Sequence, residues 1–145
     1  MRICLDTSVL NRPFDEQTQP RIALETQALR TILQLVETQQ VELVGSAVLD
    51  YENSRNSSPR RQQWVQRCLG LAKQYQTINA GITERATEME NQGLKAIDAL
   101  HVACSEAAQC EYFLTCDDRL IRRYSGLLKV VNPVTFVLDL TGDVE

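Results

Sequence analysis

Short apolar runs alternate along the chain with longer stretches in which apolar residues recur at helical spacing. A short apolar run bounded by polar residues predicts a buried strand, and the helical spacing predicts an amphipathic helix. The stretch 21–37, for example, places Ile22, Leu29 and Val36 on one helical face. We predict strands at 3–5, 41–45, 77–79, 112–116 and 129–131, and helices at 21–37, 46–52, 60–75, 83–93, 96–108, from 119 onwards and at 133–140.

This alternation of strands and helices predicts an α/β fold, a three-layer α/β/α sandwich with a central parallel sheet. The chain has 145 residues, close to the usual size of one domain, so residues 1–145 are expected to form a single unit. No apolar run approaches the roughly 20 residues that cross a bilayer. The apolar stretch at the N-terminus contains Asp6, so we expect neither a membrane span nor an export signal, and a cytoplasmic location.

Composition and net charge exclude only a few kinds of site and partner. The five cysteines are an odd number without a C-x-x-C pair, which predicts neither a disulfide framework nor a zinc site. They are expected to be reduced and to pack as small apolar residues. The net charge of −4 argues against a polyanionic partner, but a carboxylate-rich metal site adds negative charge that bound cations would offset.

Two predicted strands end in an aspartate. Asp6 follows the first strand, and Asp117 follows the strand at 112–116. Ligands of open parallel sheets bind beyond the carboxyl ends of the strands, where these two side chains would meet. A single aspartate after a strand often only caps a turn or a helix, so it is the presence of two that indicates a binding site. Asp118 comes next, and we expect it to cap the following helix and leave Asp117 to the site.

Two further acids lie on predicted helices. Asp98 stands among apolar residues, and a buried carboxylate is costly unless it is paired, hydrogen-bonded or bound to a metal. The alternative is that Asp98 only interacts with the dipole of the first helical turn. Glu52 lies six residues after Ser46, a predicted N-cap, and is otherwise a solvated surface acid. Asp50 lies about 200° from Glu52 around the helix, so only one of them can face the site.

Four converging carboxylates would repel one another and raise each other's pKa values. A hard divalent cation removes this repulsion, because Mg²⁺ and Mn²⁺ prefer oxygen ligands and keep some of their waters. Such a site activates water and stabilises charge on a phosphate without histidine or cysteine. The one histidine of the chain, His101, is interpreted as a packing or hydrogen-bonding residue rather than a catalytic one.

Four segments, in this order, resemble the motifs of PIN-domain ribonucleases. The tripeptide Asp6-Thr7-Ser8 resembles the opening motif, the segment 46–52 the second motif, and the segment 113–117 the last. The most specific match is Asp-Ala-Leu-His-Val-Ala at 98–103, which is close to a signature of the family. With the closing strand and helix, the resemblance covers essentially the whole chain.

The resemblance implies a metal-dependent endoribonuclease directed at single-stranded RNA, often the toxin of a bacterial toxin–antitoxin pair. It also implies a homodimer and, for toxin members, an antitoxin protein that occupies the active groove. In that family, one or two Mg²⁺ or Mn²⁺ ions are held by the acids matched here by Asp6, Glu52, Asp98 and Asp117. Supporting hydroxyl groups, which help to place metal waters or phosphate, are matched by Thr7, Ser8, Ser46 and Thr115.

Arginines that follow two of the acids are candidates for RNA contact. We expect these side chains to bind backbone phosphates: Arg55, Arg60, Arg61, Arg119 and Arg122. The alternative is a solvated face, because charge runs are usually exposed surface.

Two other functions stay open. One is a PIN fold that binds RNA or protein without cleaving it. The other is a phosphotransfer or phosphatase domain on a doubly wound sheet. Phosphatases with a nucleophilic aspartate normally carry a second aspartate two residues later, where this chain has Ser8.

Overall fold

Five parallel strands form the centre of the fold in the computed structural model, which describes residues 1–142. The strand order across the sheet is β3-β2-β1-β4-β5. β1 lies in the middle, with Ile3 in register with Leu43 of β2 and Tyr112 of β4. The strand bounds are β1 (Arg2–Leu5), β2 (Glu42–Ser46), β3 (Gln74–Gln76), β4 (Tyr112–Leu114) and β5 (Lys129–Val131).

Helices connect the strands and cover both faces of the sheet, so the predicted α/β/α sandwich is confirmed. The segment after β1, which the sequence analysis left without an element, contains a short helix and a 3-10 turn at Arg12–Phe14. The helix bounds are α1 (Thr7–Leu10), α2 (Pro20–Glu37), α3 (Ala47–Ser54), α4 (Pro59–Leu69), α5 (Ala80–Asn91), α6 (Ala96–Ala107), α7 (Asp118–Arg123) and α8 (Pro133–Thr141).

The hydrophobic core is divided between the two faces of the sheet. Successive residues of a strand point to opposite faces. Ile3 and Leu5 therefore pack in one core with residues of α2, α4 and α8, including the fully buried Phe136. Cys4 packs in the other core with residues of α5 and α6, including Met89. Burial on both faces explains why the central strands are continuous apolar runs in the sequence.

Helix α4 is shorter than predicted, and the strand after it lies earlier. The prediction extended this helix to residue 75, whereas α4 ends at Leu69 with Gly70 as its C-cap. Tyr75 lies in β3, so the strand predicted at 77–79 was displaced by three residues. Pairing with β2, in which Gly45 is in register with Tyr75, stabilises a strand here, although the local sequence pattern favours a helix.

The cysteines are free thiols, as expected, and four of the five are buried. Burial raises the pKa of Cys68 and of Cys104 to about 11, so both stay protonated and pack as small apolar side chains. Within residues 1–142, no helix combines the length and the apolar composition that crossing a membrane requires.

The helix that carries Glu52 begins at a buried cap. Ser46, only 2% exposed, accepts a hydrogen bond from the backbone N–H of Leu49 at 3.1 Å, which confirms the predicted N-cap. Ser46→Ala should lower the free energy of unfolding by about 1 kcal/mol, because a helical N–H loses its partner. Urea denaturation measures this loss. Ser57→Ala, at an exposed position outside any helix, is the control, and an equal loss in both variants would contradict the role of the cap.

Candidate metal centre

Asp6 lies at the carboxyl edge of the sheet, directly after the central strand. Its backbone N–H donates to the carbonyl of Leu114 at 2.9 Å, which extends the pairing of β1 with β4 by one residue. The side chain is 6% exposed, and its Oδ2 accepts hydrogen bonds from Ser8 Oγ at 2.8 Å and Thr115 Oγ1 at 2.7 Å. Both hydroxyl groups bind the same oxygen, so Oδ1 has no hydrogen-bond donor among residues 1–142.

Glu52 projects from α3, which begins where β2 ends. Its Oε1 accepts hydrogen bonds from Thr7 Oγ1 at 2.6 Å and from His101 Nε2 at 2.8 Å. Burial alone would raise the pKa of Glu52, but the hydrogen bonds from His101 and Thr7 outweigh burial and hold the pKa below its ordinary value. Glu52 is therefore an anion at neutral pH.

His101 joins Asp6 and Glu52 in the centre of the site. One ligand atom from each of the three side chains lies within 4.8 Å of the other two. Burial alone would lower the pKa of His101, but the hydrogen bond to Glu52 and the charge of Asp6 raise it. His101 Nε2 donates to Glu52 at 2.8 Å, so this nitrogen orients a carboxylate and its lone pair is not available to a metal. Its hydrogen bond to Glu52 agrees with the sequence interpretation.

Asp98 belongs to the same electrostatic cluster, although it is not one of these three mutually close side chains. It lies in the first turn of α6, and its pKa is raised to about 6. Burial is the largest cause, followed by the negative charges of Asp6 and Asp117, with a smaller contribution from Glu52. Asp98 thus lies within electrostatic reach of the other three predicted acids.

Asp117, not Asp118, caps α7, so the predicted assignment of the cap is wrong. Asp117 Oδ1 accepts hydrogen bonds from the backbone N–H groups of Arg119 at 2.9 Å and Leu120 at 3.4 Å. Its backbone is extended, as an N-cap requires, and the helix begins one residue earlier than predicted. Asp118 instead binds Arg21 through both carboxylate oxygens, each at 2.8 Å. Sequence reasoning missed Arg21, which lies 97 positions away.

The predicted supporting hydroxyl groups have two different functions. Those of Thr7, Ser8 and Thr115 contact the acids, and Thr115 also accepts a hydrogen bond from the backbone N–H of Asp117 at 3.1 Å. They fix the orientation of the carboxylates. Ser46 only caps α3.

The five predicted RNA-binding arginines differ in their surroundings. Arg55 lines an open pocket of about 490 Å³ together with Thr7 and Glu52, so it lies beside the acids. Arg61 is bound by the side chain of Asp15 and the carbonyl of Phe14, and Arg60 is exposed near the Phe14 ring. Arg119 and Arg122 are exposed and form no ion pair within residues 1–142.

The family model of the PIN domain matches residues 3–127. This chain belongs to the PIN domain family. A search of curated proteins gave no match. Similar solved structures cover 90–91% of this PIN domain.

Three of these structures show the likeness of the fold. The first is VapBC2 from Rickettsia felis bound to a DNA fragment from its promoter, with a TM-score of 0.61, 16% identity and 98% of that chain covered. FitAB bound to an IR36 DNA fragment has a TM-score of 0.57, 18% identity and 95% coverage of that chain. A toxin–antitoxin complex from Klebsiella pneumoniae has a TM-score of 0.57, 21% identity and 97% coverage.

The raised pKa of Asp98 predicts that its charge destabilises the metal-free protein. A carboxyl group whose pKa is higher in the folded than in the unfolded protein stabilises the folded state as long as it is protonated there. For Asp98, this contribution to the free energy of unfolding is complete below the pKa of the unfolded protein, near 3.8, and is lost as the pH rises through about 6. At pH 7.5 with a chelator, Asp98→Asn should therefore melt at a higher temperature than the unaltered protein, and the difference should shrink at pH 4.5. Thermal unfolding at both pH values tests this. A variant less stable than the unaltered protein at pH 7.5 contradicts it.

Proposed function

We propose that this PIN domain is a Mg²⁺- or Mn²⁺-dependent endoribonuclease that cleaves single-stranded RNA. The observation that supports this most directly is the group of acids at the carboxyl edge of the sheet, where burial and the charges of Asp6, Asp117 and Glu52 raise the pKa of Asp98. Buried or half-buried carboxylates that repel one another suit a divalent cation, because hard oxygen ligands are what such an ion prefers. The residues therefore fit the metal that the family implies.

The ion would be held by Asp6, Glu52, Asp98 and Asp117. Asp6 Oδ1 is available for it, since only Oδ2 receives hydrogen bonds. When bound, the metal lowers the pKa of a water and neutralises charge on the attacked phosphate. The remaining task of the chain is orientation: His101 and Thr7 hold Glu52 as an anion, and Ser8 and Thr115 fix Asp6.

RNA would enter through the pocket beside Glu52, where Arg55 lies. Arg55 makes no ion pair within residues 1–142, so its charge is available for a phosphate, whereas Arg61 is partly neutralised by Asp15. We propose Arg60, Arg119 and Arg122 as further phosphate contacts on the exposed surface.

The proposal extends to the partners and the setting of this PIN domain. The similar structures are a VapBC2 and a FitAB assembly and a complex described as toxin–antitoxin. They support the proposal that this chain is a toxin silenced by an antitoxin protein. Like toxins of its family, it would act as a single-domain protein, as a homodimer, in the cytoplasm.

Substitution of the last predicted acid tests the catalytic proposal. Asn caps a helix about as well as Asp, so Asp117→Asn keeps the cap of α7 and removes only the charge. We expect its cleavage of single-stranded RNA with Mn²⁺ to fall by more than about 100-fold, beyond the usual effect of residues that only orient metal ligands. Asp118→Asn should lose much less activity than Asp117→Asn, because it keeps one of the two hydrogen bonds from Arg21 and removes no residue of the proposed metal site. Equal activity in Asp117→Asn and the unaltered protein would exclude Asp117 from the site. Absence of cleavage by the unaltered protein would instead favour a PIN fold that binds RNA or protein without cleaving it.

Removal of Arg55 tests the RNA contact. Arg55→Ala should weaken binding of RNA of any sequence and should reduce the slope of log affinity against log salt by about 1. Binding is measured in the Asp117→Asn background, in which RNA stays intact. Arg67→Ala, at the exposed far end of α4, is the matched control and should leave the salt slope unchanged. If both variants bind like the parent, Arg55 is part of a solvated face only.

A further inference from the structure

A buried carboxylate outside the predicted site links the loops around it. Glu25 of α2 is 0% exposed. Its Oε1 accepts a hydrogen bond from Arg12 Nε at 2.8 Å, and its Oε2 accepts from Arg21 Nε at 3.1 Å and from Asn132 Nδ2. Burial alone would raise the pKa of Glu25, but the hydrogen bonds from Asn132, Arg21 and Arg12 outweigh burial and lower the pKa. Glu25 is therefore a buried anion between two arginines.

The network around Glu25 reaches the segments that follow three neighbouring strands, two of them directly and one through Arg21. Arg12 belongs to the turn that follows β1 and Asp6, and Asn132 follows β5 and caps α8 through the N–H of Val134. Arg21 connects Glu25 to the segment after β4, because its guanidinium also binds both oxygens of Asp118. One carboxylate thus joins the loops after β1, β4 and β5 at the edge of the sheet where the acids lie.

The connection to Asp118 fixes the backbone on both sides of Asp117. Arg21 Nη2 donates to the carbonyl of Cys116 at 3.4 Å as well as to Asp118 Oδ1 at 2.8 Å. The planar guanidinium holds two parallel hydrogen bonds to Asp118, a geometry that orients as well as attracts. Asp117 lies between the two residues that Arg21 binds, so its position depends on Arg21, and the position of Arg21 depends on Glu25.

Stability alone does not explain a charge at this position. Glu25 lies on the face of α2 that otherwise presents apolar residues such as Ala28, Leu29 and Ile32 to the core. Replacement of buried ion pairs by apolar residues is often neutral or stabilising, so a gain in net stability does not account for this network. We propose that Glu25 is a positioning residue, which acts through Arg21 and Arg12 to hold the metal-binding loops in the geometry that binds the cation. This inference rests on the proposed metal-dependent function.

The chain offers a matched control in a second ion network. Glu106 accepts hydrogen bonds from Arg85 Nε at 2.8 Å and Arg85 Nη2 at 3.2 Å, and another from the hydroxyl of Tyr124. It lies eight residues after Asp98 on α6, about 12 Å along the helix from the site end. Glu106→Gln therefore breaks a second, less buried network, in which Arg85 and Tyr124 bind neither Asp118 nor the segments that follow β1 and β5.

The test compares Mn²⁺ binding by folded protein in the absence of RNA, measured by electron paramagnetic resonance titration, with the free energy of unfolding. Both Glu25→Gln and Glu106→Gln should lose stability. Only Glu25→Gln should lose Mn²⁺ affinity, by about 10- to 100-fold, the usual effect of residues that orient metal ligands. Unchanged affinity in Glu25→Gln, or an equal loss in Glu106→Gln, overturns the proposal.

Two Arg21 variants keep the proposal falsifiable if Glu25→Gln does not fold. Arg21→Ala removes the connection to Asp118, and it should cost less stability than Glu25→Gln, because the Arg21 side chain is 53% exposed and Glu25 keeps its hydrogen bonds from Arg12 and Asn132. It should lower Mn²⁺ affinity, Arg21→Lys should restore part of it, and unchanged affinity in Arg21→Ala overturns the proposal. Mn²⁺ binding without RNA cleavage by the unaltered protein refutes the proposed nuclease alone, whereas absence of Mn²⁺ binding refutes both.

Discussion

The common direction of the five strands is the constraint on which the site depends. Because all strands are parallel, their carboxyl ends meet at one edge, and the residues that follow β1, β2 and β4 are brought together there. Asp6 follows β1 directly, Asp117 lies three residues after the end of β4, and α3, which begins at the end of β2, carries Glu52 to the same edge. The proximity of these acids is therefore a consequence of the topology, and their negative charges add to the effect of burial in raising the pKa of Asp98.

The acids differ in the hydrogen bonds that they accept from neighbouring side chains. Hydrogen bonds from His101 and Thr7 stabilise Glu52 as an anion, and two hydroxyl groups stabilise Asp6. The charge of Asp98 is opposed by burial and by its neighbours, and the proposed cation would stabilise it. Outside this group of acids, the network around Glu25 connects the loops that follow β1, β4 and β5.

The sequence predicted most of the fold and of the candidate acids because both have local signals. Buried strands are apolar runs, and an aspartate at the end of such a run is visible without a structure.

The edge strand β3 was predicted three residues too late because the residues of Gln74–Gln76 are mostly polar, and only pairing with β2 makes them a strand. The cap of α7 was off by one residue because capping depends on the backbone angles of one residue, which two adjacent aspartates do not reveal. Contacts such as Glu52–His101 and Arg21–Asp118 join distant positions and have no local signal. Glu25 did have a local signal in the sequence. It lies three residues after Ile22 and four before Leu29, so it places a charge on an apolar helical face.

The central claim is that the acids at the carboxyl edge hold a divalent cation, and the most direct measurement is a crystal structure with Mn²⁺ at neutral pH, with anomalous scattering to locate the ion. The account predicts an anomalous peak beside Asp6 Oδ1, with oxygens of Asp98, Asp117 or Glu52 in its coordination shell, directly or through water. Crystals at saturating Mn²⁺ that show no peak at this edge, or a peak only elsewhere on the protein, would contradict it.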